Sequence, residues 1–198
     1  MSTAQAIAAV TATLKDVLSN GLVEQKVAAG LGDVTISALP PDRVDSQDGG
    51  EVNQLNLFLY RVEPNTAMRS VGLPGRGAAG RRVTNPPLAL DLHYLLTAYG
   101  AEELHGEILL GHGMKLLHET PVLTREVLRR SLAPPAAAAS EPGISGRGPL
   151  FNAELAEQME PVRIAPSSLT VDELTRLWSA LQCRFRTAAP YLASVVLI

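Results

Sequence analysis

Histidine side chains are the groups in this chain best suited to acid–base or metal chemistry near neutral pH. The chain has four of them, His93, His105, His112 and His118, and a single cysteine, Cys183. They form no His-Glu-x-x-His pair, and one cysteine cannot supply a multi-cysteine zinc cluster. His105 and His112 would share a helix face, but they lie too far apart along the axis to bind one ion. We therefore predict no metal site.

A small hydrolase is the enzyme alternative that these residues leave open. It would use Asp91, His93 and His105, which supply a carboxylate and two imidazoles for general acid–base catalysis. The chain has no Gly-x-Ser-x-Gly motif for a serine nucleophile, and the similar letters at 143–146 lie in a low-complexity segment. The sequence thus favours a protein that is not an enzyme.

A glycine motif at residues 75–80 has the literal form Gly-x-Gly-x-x-Gly. In dinucleotide-binding proteins this motif follows a strand and opens a helix, whose N–H groups bind the pyrophosphate. Here a segment rich in proline and glycine precedes the motif, and residues 81–87 follow it without a helix start. We therefore predict no nucleotide and no other cofactor.

The same region carries four arginines, Arg69, Arg76, Arg81 and Arg82. No aromatic residue lies among them, whereas proteins that bind single-stranded nucleic acid stack bases on aromatic side chains. The net charge of −3 is also untypical of a nucleic-acid-binding protein. Because guanidinium groups pair well with carboxylates, we predict a protein partner here and no nucleic acid. A solvated loop without a partner is the alternative.

Length and composition predict one domain, residues 1–198, with an aliphatic core. Of the 198 residues 46% are hydrophobic, but only 4% are aromatic. No run approaches the roughly 20 apolar residues of a membrane helix, and the first residues lack the basic segment of a secretory signal. We therefore expect no membrane association. Assembly is expected to take place in the cytoplasm.

Hydrophobic periodicity predicts alternating helices and strands. Helices are expected at 3–19, from 101 or 102 onward, and at 120–132, 150–160 and from 171 onward; strands are expected at 34–39, 54–62, 88–99, 162–164 and 191–198. Long loops are expected at 63–87 and 133–149. The prediction is an α+β fold, with a mixed, mainly antiparallel sheet flanked by helices.

Local signals predict where the helices begin and end. Ser2 and Gln5 have the spacing of a capping box, and Asn20-Gly21 would end the first helix. Thr120-Pro121 has the form of an N-cap followed by a first-turn proline. Gly111 and Gly113 would either kink their helix or allow close packing.

Two further signals concern the core. Thr170 and Glu173 form a second capping box, and Trp178 falls on the apolar face of the helix that follows. Strand 54–62 is apolar on both faces, which is typical of a strand covered on each side. We expect Trp178 in the core and this strand inside the sheet.

Several segments together resemble one known family. They are Asn56–Tyr60, Pro87–Gly100, Leu109–Gly111, Leu174–Ala180 and Tyr191–Ile198. These segments resemble the cap, or tail-terminator, proteins of extracellular contractile injection systems, which are phage-tail-like particles with an inner tube and a contractile sheath. The resemblance covers nearly the whole chain except residues 40–50 and 133–149.

This resemblance implies a structural protein with the fold of phage tail terminators. Such proteins close the end of tube and sheath that lies away from the baseplate. The implied partners are other copies of the chain in a homohexameric ring, the inner tube protein and the sheath protein. Release as part of the particle is left open. A joint between sheath and baseplate is the alternative within the same particle.

The resemblance implies contact surfaces and no catalytic residues. One predicted partner interface consists of Arg69, Arg76, Arg81 and Arg82. The other is the apolar segment Val195, Val196, Leu197 and Ile198, which carries no polar residue. Because terminal segments usually lie at the surface, we expect such an apolar segment to make a structural contact.

Overall fold

The computed structural model describes residues 5–25, 27–45, 52–68, 88–133 and 161–198. Within these residues, the helices are α1 (Ala6–Glu24), α2 (Ala28–Leu31), α3 (Pro41–Asp45), α4 (His105–Glu119), α5 (Arg125–Leu132) and α6 (Val171–Ala180). The strands are β1 (Thr35–Ser37), β2 (Gln54–Pro64), β3 (Ala89–Tyr99), β4 (Val122–Leu123), β5 (Val162–Pro166) and β6 (Ala188–Leu197).

The six strands form one sheet in the order β1-β2-β3-β6-β5-β4. β1 is parallel to β2, and every other neighbouring pair is antiparallel. β3 and β6 lie in the middle and pair over nearly their full length. The predicted mixed, mainly antiparallel sheet flanked by helices is therefore confirmed.

The main core lies between the sheet and helices α1, α4 and α5. Alternate residues of β3 pack into it, because successive side chains of a strand point to opposite faces. These residues are Leu90, Leu92, Tyr94 and Leu96. Leu95 and Thr97 are also fully buried, so the opposite face of β3 is covered as well. Strand 54–62, which was predicted to lie inside the sheet, corresponds to β2. It lies between β1 and β3, but β1 pairs with only its first three residues.

Helix α1 differs from its prediction at both ends. It begins at Ala6, with no side-chain cap from Gln5, and Ser2 lies outside the described residues. It continues through Asn20-Gly21 to Glu24, so the predicted stop is wrong. Gly21 serves packing instead: a Cβ atom there would meet the side chain of Leu116 in α4.

Length and composition would allow α1 to cross a membrane, which the sequence prediction had missed. In the structure half of its residues are buried inside the protein. Its apolar face, with Val10, Leu14 and Leu18, packs in the main core.

Helix α4 begins at His105, several residues later than predicted. Leu104 precedes it with a φ of 68°, in the left-handed region, so Glu102 and Glu103 belong to a turn and not to the first helical turn. The helix runs without a break past Gly111 and Gly113. Gly113 has the predicted close packing, because a Cβ atom there would lie 2.8 Å from Leu55 Cδ2.

The predicted helix start at Thr120-Pro121 is wrong. Pro121 is followed by the short strand β4, which pairs with β5 at Val122 and Leu123. The cap is Thr124, whose hydroxyl accepts a hydrogen bond from the N–H of Val127 and begins α5. Pairing with β5 therefore takes precedence over the local helix signal.

The second capping box is confirmed. Thr170 and Glu173 exchange hydrogen bonds at the start of α6, and Trp178 is buried in the same helix.

β5 and β6 are longer than predicted, whereas β1 is shorter than the expected 34–39. The loop 133–149 and the helix 150–160 fall almost entirely outside the described residues, and so does the loop 63–87 beyond Met68.

Candidate interaction surfaces

The structure separates the residues of the hydrolase alternative. His105 Nδ1 lies 3.1 Å from Asn53 Oδ1, beside the end of β3 at Tyr99. His93 lies six residues earlier in β3, which corresponds to about 20 Å along the strand. His93 Nε2 lies 3.1 Å from Glu63 Oε2, and Asp91 accepts a hydrogen bond from Asn65. The three residues do not form one site.

Asn53 has a structural role at that end of the sheet. Its Oδ1 accepts the N–H of Ala101 at 2.9 Å, and its Nδ2 donates to the carbonyl of Leu31 at 2.5 Å. The residue is buried, so these bonds satisfy polar atoms that would otherwise lie unpaired in the interior. His105 therefore belongs to a network that ties α4 to the start of β2.

The outer edge of β2 is the first candidate interaction surface. β2 has 11 residues, but β1 has 3 and pairs only with Gln54, Leu55 and Asn56. On the β1 side, no described strand pairs with the rest of β2. Open edges of this kind can accept an additional strand.

Asn56 ends the pairing of β1. Its Oδ1 accepts hydrogen bonds from the Ser37 hydroxyl at 2.7 Å and from the Leu39 N–H at 3.0 Å. Its Nδ2 donates to the Leu39 carbonyl at 3.0 Å. The Asn56 side chain thus binds the backbone N–H and C=O groups of Leu39, which would be free to pair with β2 if β1 were longer. Pro40 and Pro41 follow Leu39 directly.

One hydrogen bond shows which edge of β2 the backbone N–H and C=O groups of each residue face. The Thr35 N–H donates to the Asn53 carbonyl at 3.0 Å, so the backbone groups of Asn53 face β1. Because successive residues alternate in a strand, those of Leu57 and Leu59 face the same way. The register with β3 shifts between Leu59 and Arg61, and this shift turns the backbone groups of Val62 to the outer edge.

A groove of about 490 Å³ lies beside this edge, between α1 and β2. Ala8 and Ala12 form its α1 wall together with Ile7, Thr11 and Lys15, and Leu59 and Ala38 complete the lining. The wall is shallow because two of these side chains end at Cβ. The groove continues the path of β1, since Ala38 directly follows Ser37.

Charged residues lie at the far end of the same edge. Arg61 and His93 both contact the carboxylate of Glu63. Burial raises the pKa of the Tyr60 hydroxyl, and the nearby Arg61 guanidinium partly opposes that rise. The ring centroids of Tyr60 and His93 are 6.0 Å apart. Polar and aromatic groups therefore follow the apolar part of the edge.

A second concave surface lies at the start of α4. It has a volume of about 310 Å³ and is lined in part by Gly106, Leu110 and Phe185. Arg186 stacks on Tyr99, with its guanidinium carbon 4.5 Å from the ring centroid. Phe185 is 59% exposed and contacts Trp178, so an aromatic side chain marks the rim of this surface.

The four predicted interface arginines, Arg69, Arg76, Arg81 and Arg82, lie outside the described residues. The apolar segment 195–198 is described. Val196 is fully buried and Leu197 nearly so, while Val195 and Ile198 are half-buried. Ile198 and Leu88 exchange two backbone hydrogen bonds of 3.0 and 2.9 Å. The segment therefore completes the sheet, and its predicted contact with a partner stays a prediction.

Sequence reasoning missed the edge of β2 and its groove. Two signals in the chain point to them in retrospect. Asn56 is a polar residue at a buried position of an apolar strand, and Ala8 and Ala12 place small residues four apart on one helix face. Neither signal indicates an edge until the length of β1 is known.

Two solved structures share this fold. One is the sheath/tube terminator of the PVC extracellular contractile injection system in its extended state, at 17% identity and a TM-score of 0.52, over 89% of this chain and 55% of that one. The other is the tube-terminating cap of the anti-feeding prophage, at 14% identity and a TM-score of 0.50, over 91% of this chain and 54% of that one. The chain thus spans about half the length of both.

No curated protein matches the chain. The family model of the Pvc16 N-terminal domain matches residues 9–198, which is nearly the whole chain. The matched range includes every strand of the sheet and all but the first turn of α1. The chain therefore belongs to the Pvc16 N-terminal domain family.

Proposed function

We propose that this chain is a structural cap, or tail terminator, of a contractile injection system. It would close the end of the inner tube and sheath away from the baseplate and end their polymerisation. The fold shared with two terminators over 89% and 91% of the chain supports this proposal. Because the chain spans about half of each relative, the proposal concerns the functions of this shared domain.

A structural role without catalysis is consistent with the geometry. Asp91 and His93 lie near the start of β3, whereas His105 lies beyond its other end, and the three have separate hydrogen-bond partners. Among the described residues, no group of three or more His, Cys, Asp or Glu side chains could hold a metal ion. These observations favour a protein that acts by contact, and the proposed cap requires only contacts.

A homohexameric ring is the proposed assembly, with the inner tube protein and the sheath protein as further partners. A cap must present one docking face and leave the other unable to recruit a further ring. The four arginines between 69 and 82 and the segment 195–198 are proposed as parts of these contacts. Neither nucleic acid nor membrane has a role in the proposal, and assembly would take place in the cytoplasm as part of the particle.

Removing the protein from a particle-producing cell tests the cap function. Without a terminator, tube and sheath should lose their defined length, and expression of the full chain should restore it. Negative-stain images of purified particles measure the length distribution. Particles of unchanged length and intact ends would contradict the proposal.

Labelling the protein in intact particles distinguishes the two ends. A gold label at the end away from the baseplate is expected for a cap, and a label at the baseplate junction would favour the joint instead.

The mass of the purified chain in solution tests the ring. A hexamer, free or bound to a finished tube, is the expected state.

A further inference from the structure

We propose that an exposed surface at the start of α4 binds the arginine-bearing segment 69–82 of an adjacent copy of this chain. This α4-start surface consists of Glu102, Glu103, Leu104, Glu107 and Ile108, with Phe185 on the other side of the concave surface of about 310 Å³. The inference rests on the proposed function, because the contact joins neighbouring subunits of the proposed ring. It names the partner of the four arginines.

Three carboxylates give the α4-start surface its charge. The Glu102 side chain is 79% exposed, and Glu103 and Glu107 are exposed as well. No lysine or arginine occurs at positions 83–114 of the sequence, so the surrounding chain does not offset this charge. Arg186 is the basic side chain among those that line the concave surface, and its guanidinium stacks on an aromatic ring. The surface therefore favours a partner that carries several positive charges.

Exposed apolar side chains accompany the carboxylates. Leu104 is 62% exposed, Ile108 is 44% exposed and Phe185 is 59% exposed. Acidic residues near the start of a helix are favourable by themselves, because they interact with the helix dipole. The dipole gives no reason for large apolar side chains to lie exposed beside them. Apolar and aromatic groups surrounded by charged residues are typical of a surface that contacts another protein.

The backbone at Leu104 supports the same interpretation. Its φ of 68° lies in the left-handed region, which is strained for a residue with a side chain. Glycine adopts this conformation without strain. The chain thus keeps an exposed leucine where glycine would favour the fold, and a contact between subunits accounts for that residue.

The arginine segment falls short of this surface in its own subunit. Both ends of the segment lie at the start of β3, because the Asn65 N–H donates to the Ala89 carbonyl and the Met68 N–H donates to Asn65 Oδ1. The α4-start surface follows the other end of β3, about 34 Å away for a strand of 11 residues. A fully extended chain spans about 28 Å from Met68 to Arg76, and about 28 Å from Arg81 to Ala89.

The segment and the surface thus belong to opposite ends of the sheet. A contact between two different surfaces is heterologous, and it produces a ring when the rotation from one copy to the next closes. A two-fold contact between two α4-start surfaces is disfavoured, because it brings like charges together. Charge complementarity therefore selects segment 69–82 of the next copy as the occupant. Its guanidinium groups pair with the three carboxylates.

A charge swap tests the contact with four variants of the full chain. The surface variant combines Glu102→Arg, Glu103→Arg and Glu107→Arg. The segment variant combines Arg76→Glu, Arg81→Glu and Arg82→Glu. The swap variant carries all six substitutions and keeps the wild-type net charge of −3, because the two sets of reversals cancel. The matched control reverses three exposed acidic residues elsewhere, Glu24→Arg, Glu126→Arg and Asp172→Arg.

Ring formation is measured for each variant as mass in solution, and by negative stain on tube and sheath purified from particles that lack this protein. Circular dichroism checks that each variant is folded. We expect assembly about tenfold weaker for the surface variant and for the segment variant, and close to wild type for the swap variant and the control. An equimolar mixture of the surface and segment variants should also form rings, because each then meets opposite charges on its neighbour.

Leu104→Gly is a second test that does not depend on charge. Glycine relieves the strained φ, so we expect this variant to be at least as stable as the wild type in urea denaturation. Loss of the exposed leucine should nevertheless weaken ring formation. Normal ring formation would contradict a contact at Leu104, and so would a loss of stability that accounts for weaker assembly.

The possible outcomes separate this contact from the cap function. If the wild type forms rings, but the swap variant does not recover or the control assembles as poorly as the surface variant, the contact is wrong and the cap function stands. If the segment variant keeps its rings but no longer binds tube or sheath, the arginines bind that protein and the contact is again wrong. If the wild type forms no ring on a finished tube, the contact fails, and particle length still decides the cap function. If the surface variant does not fold, the segment variant and Leu104→Gly decide the question.

Discussion

Gly21 in α1 lies directly against Leu116 in α4. A Cβ atom built on the glycine would lie 2.8 Å from Leu116 Cδ1, closer than real Cβ atoms approach a neighbour. With Leu116 in this side-chain conformation, the two helices therefore leave no room for a side chain at residue 21. This contact connects the C-terminal part of α1 to the helix that covers the start of β2.

The substitution Gly21→Ala should therefore destabilise the fold. Alanine is the better helix residue by about 1 kcal/mol, but overpacking at a closed helix contact costs about 1–3 kcal/mol. We expect a net loss of about 1 kcal/mol in the free energy of unfolding, measured by urea denaturation. A gain in stability would mean that Leu116 moves aside at little cost.

Two glycines of α4 should respond in opposite directions. A Cβ atom at Gly113 would lie 2.8 Å from Leu55 Cδ2, whereas at Gly111 nothing lies within 4 Å. Gly111→Ala should raise the free energy of unfolding by about 0.5–1 kcal/mol through helix propensity. Gly113→Ala should lower it by about 1–2 kcal/mol. Equal effects in the same denaturation experiment would contradict the packing described here.

The capping box of α6 should make this helix sensitive to acid. Hydrogen bonds from the Thr170 N–H and hydroxyl hold the pKa of Glu173 below its usual 4.5. Since the folded state binds this proton less readily than the unfolded state, the stabilisation is complete above pH 4.5 and is lost as the pH falls through the lowered value. Glu173→Gln should flatten this dependence.

Fluorescence of Trp178, which is the single tryptophan of the chain, reports on α6 in that experiment. Urea unfolding is followed at several pH values between 7 and 3. Asp172→Asn is the control, because it removes a charge from the same helical turn without touching the box. If Glu173→Gln and Asp172→Asn have the same effect, the box is not the cause.

Alanine at Asp91, His93 and His105 should leave the particle functional. The structure gives these residues separate partners, so their loss affects local contacts and removes no common site. Each variant replaces the wild-type chain in particle-producing cells, and particle yield and injection are measured. Complete loss of injection with normal assembly would support the hydrolase alternative.

Charge reversal at Arg76, Arg81 and Arg82 should impair assembly if these arginines pair with carboxylates of a partner. The expected result is fewer capped particles by negative stain, with the purified variant still folded. A matched triple reversal at the exposed residues Arg43, Arg176 and Arg184 should have a smaller effect. Normal assembly of the first variant would argue that the arginines are merely solvated.

Features with a strong local cause could be predicted from sequence. The capping box of α6 depends on two residues three apart, and the burial of β3 depends on its own alternation. Pro121 had an equally clear local signal, yet pairing between β4 and β5 decided the structure there. The end of α1 was mispredicted for a similar reason, because the role of Gly21 is set by Leu116 in a distant helix.

The candidate edge of β2 required tertiary information throughout. The length of β1 depends on hydrogen bonds between Asn56 and Leu39, 17 residues apart in sequence. The groove exists because α1 passes beside Leu59 of β2. Nothing in the sequence of α1 or of β2 indicates that the two elements lie side by side. The interface prediction at Val195–Ile198 recognised an apolar segment, but only the sheet order places Val196 in the core.

The position of β6 has a consequence for how the protein folds. Among the described strands, β6 alone joins β1-β2-β3 to β4-β5, and it pairs Leu197 with Ala89 across more than half of the chain. Pairings of such long sequence separation form slowly, because the entropy of closing the loop is lost before contacts compensate. During synthesis β3 and β5 must both wait with open edges until the ribosome has released β6. The sheet is therefore completed only once β6 has emerged, and aggregation competes with folding until then.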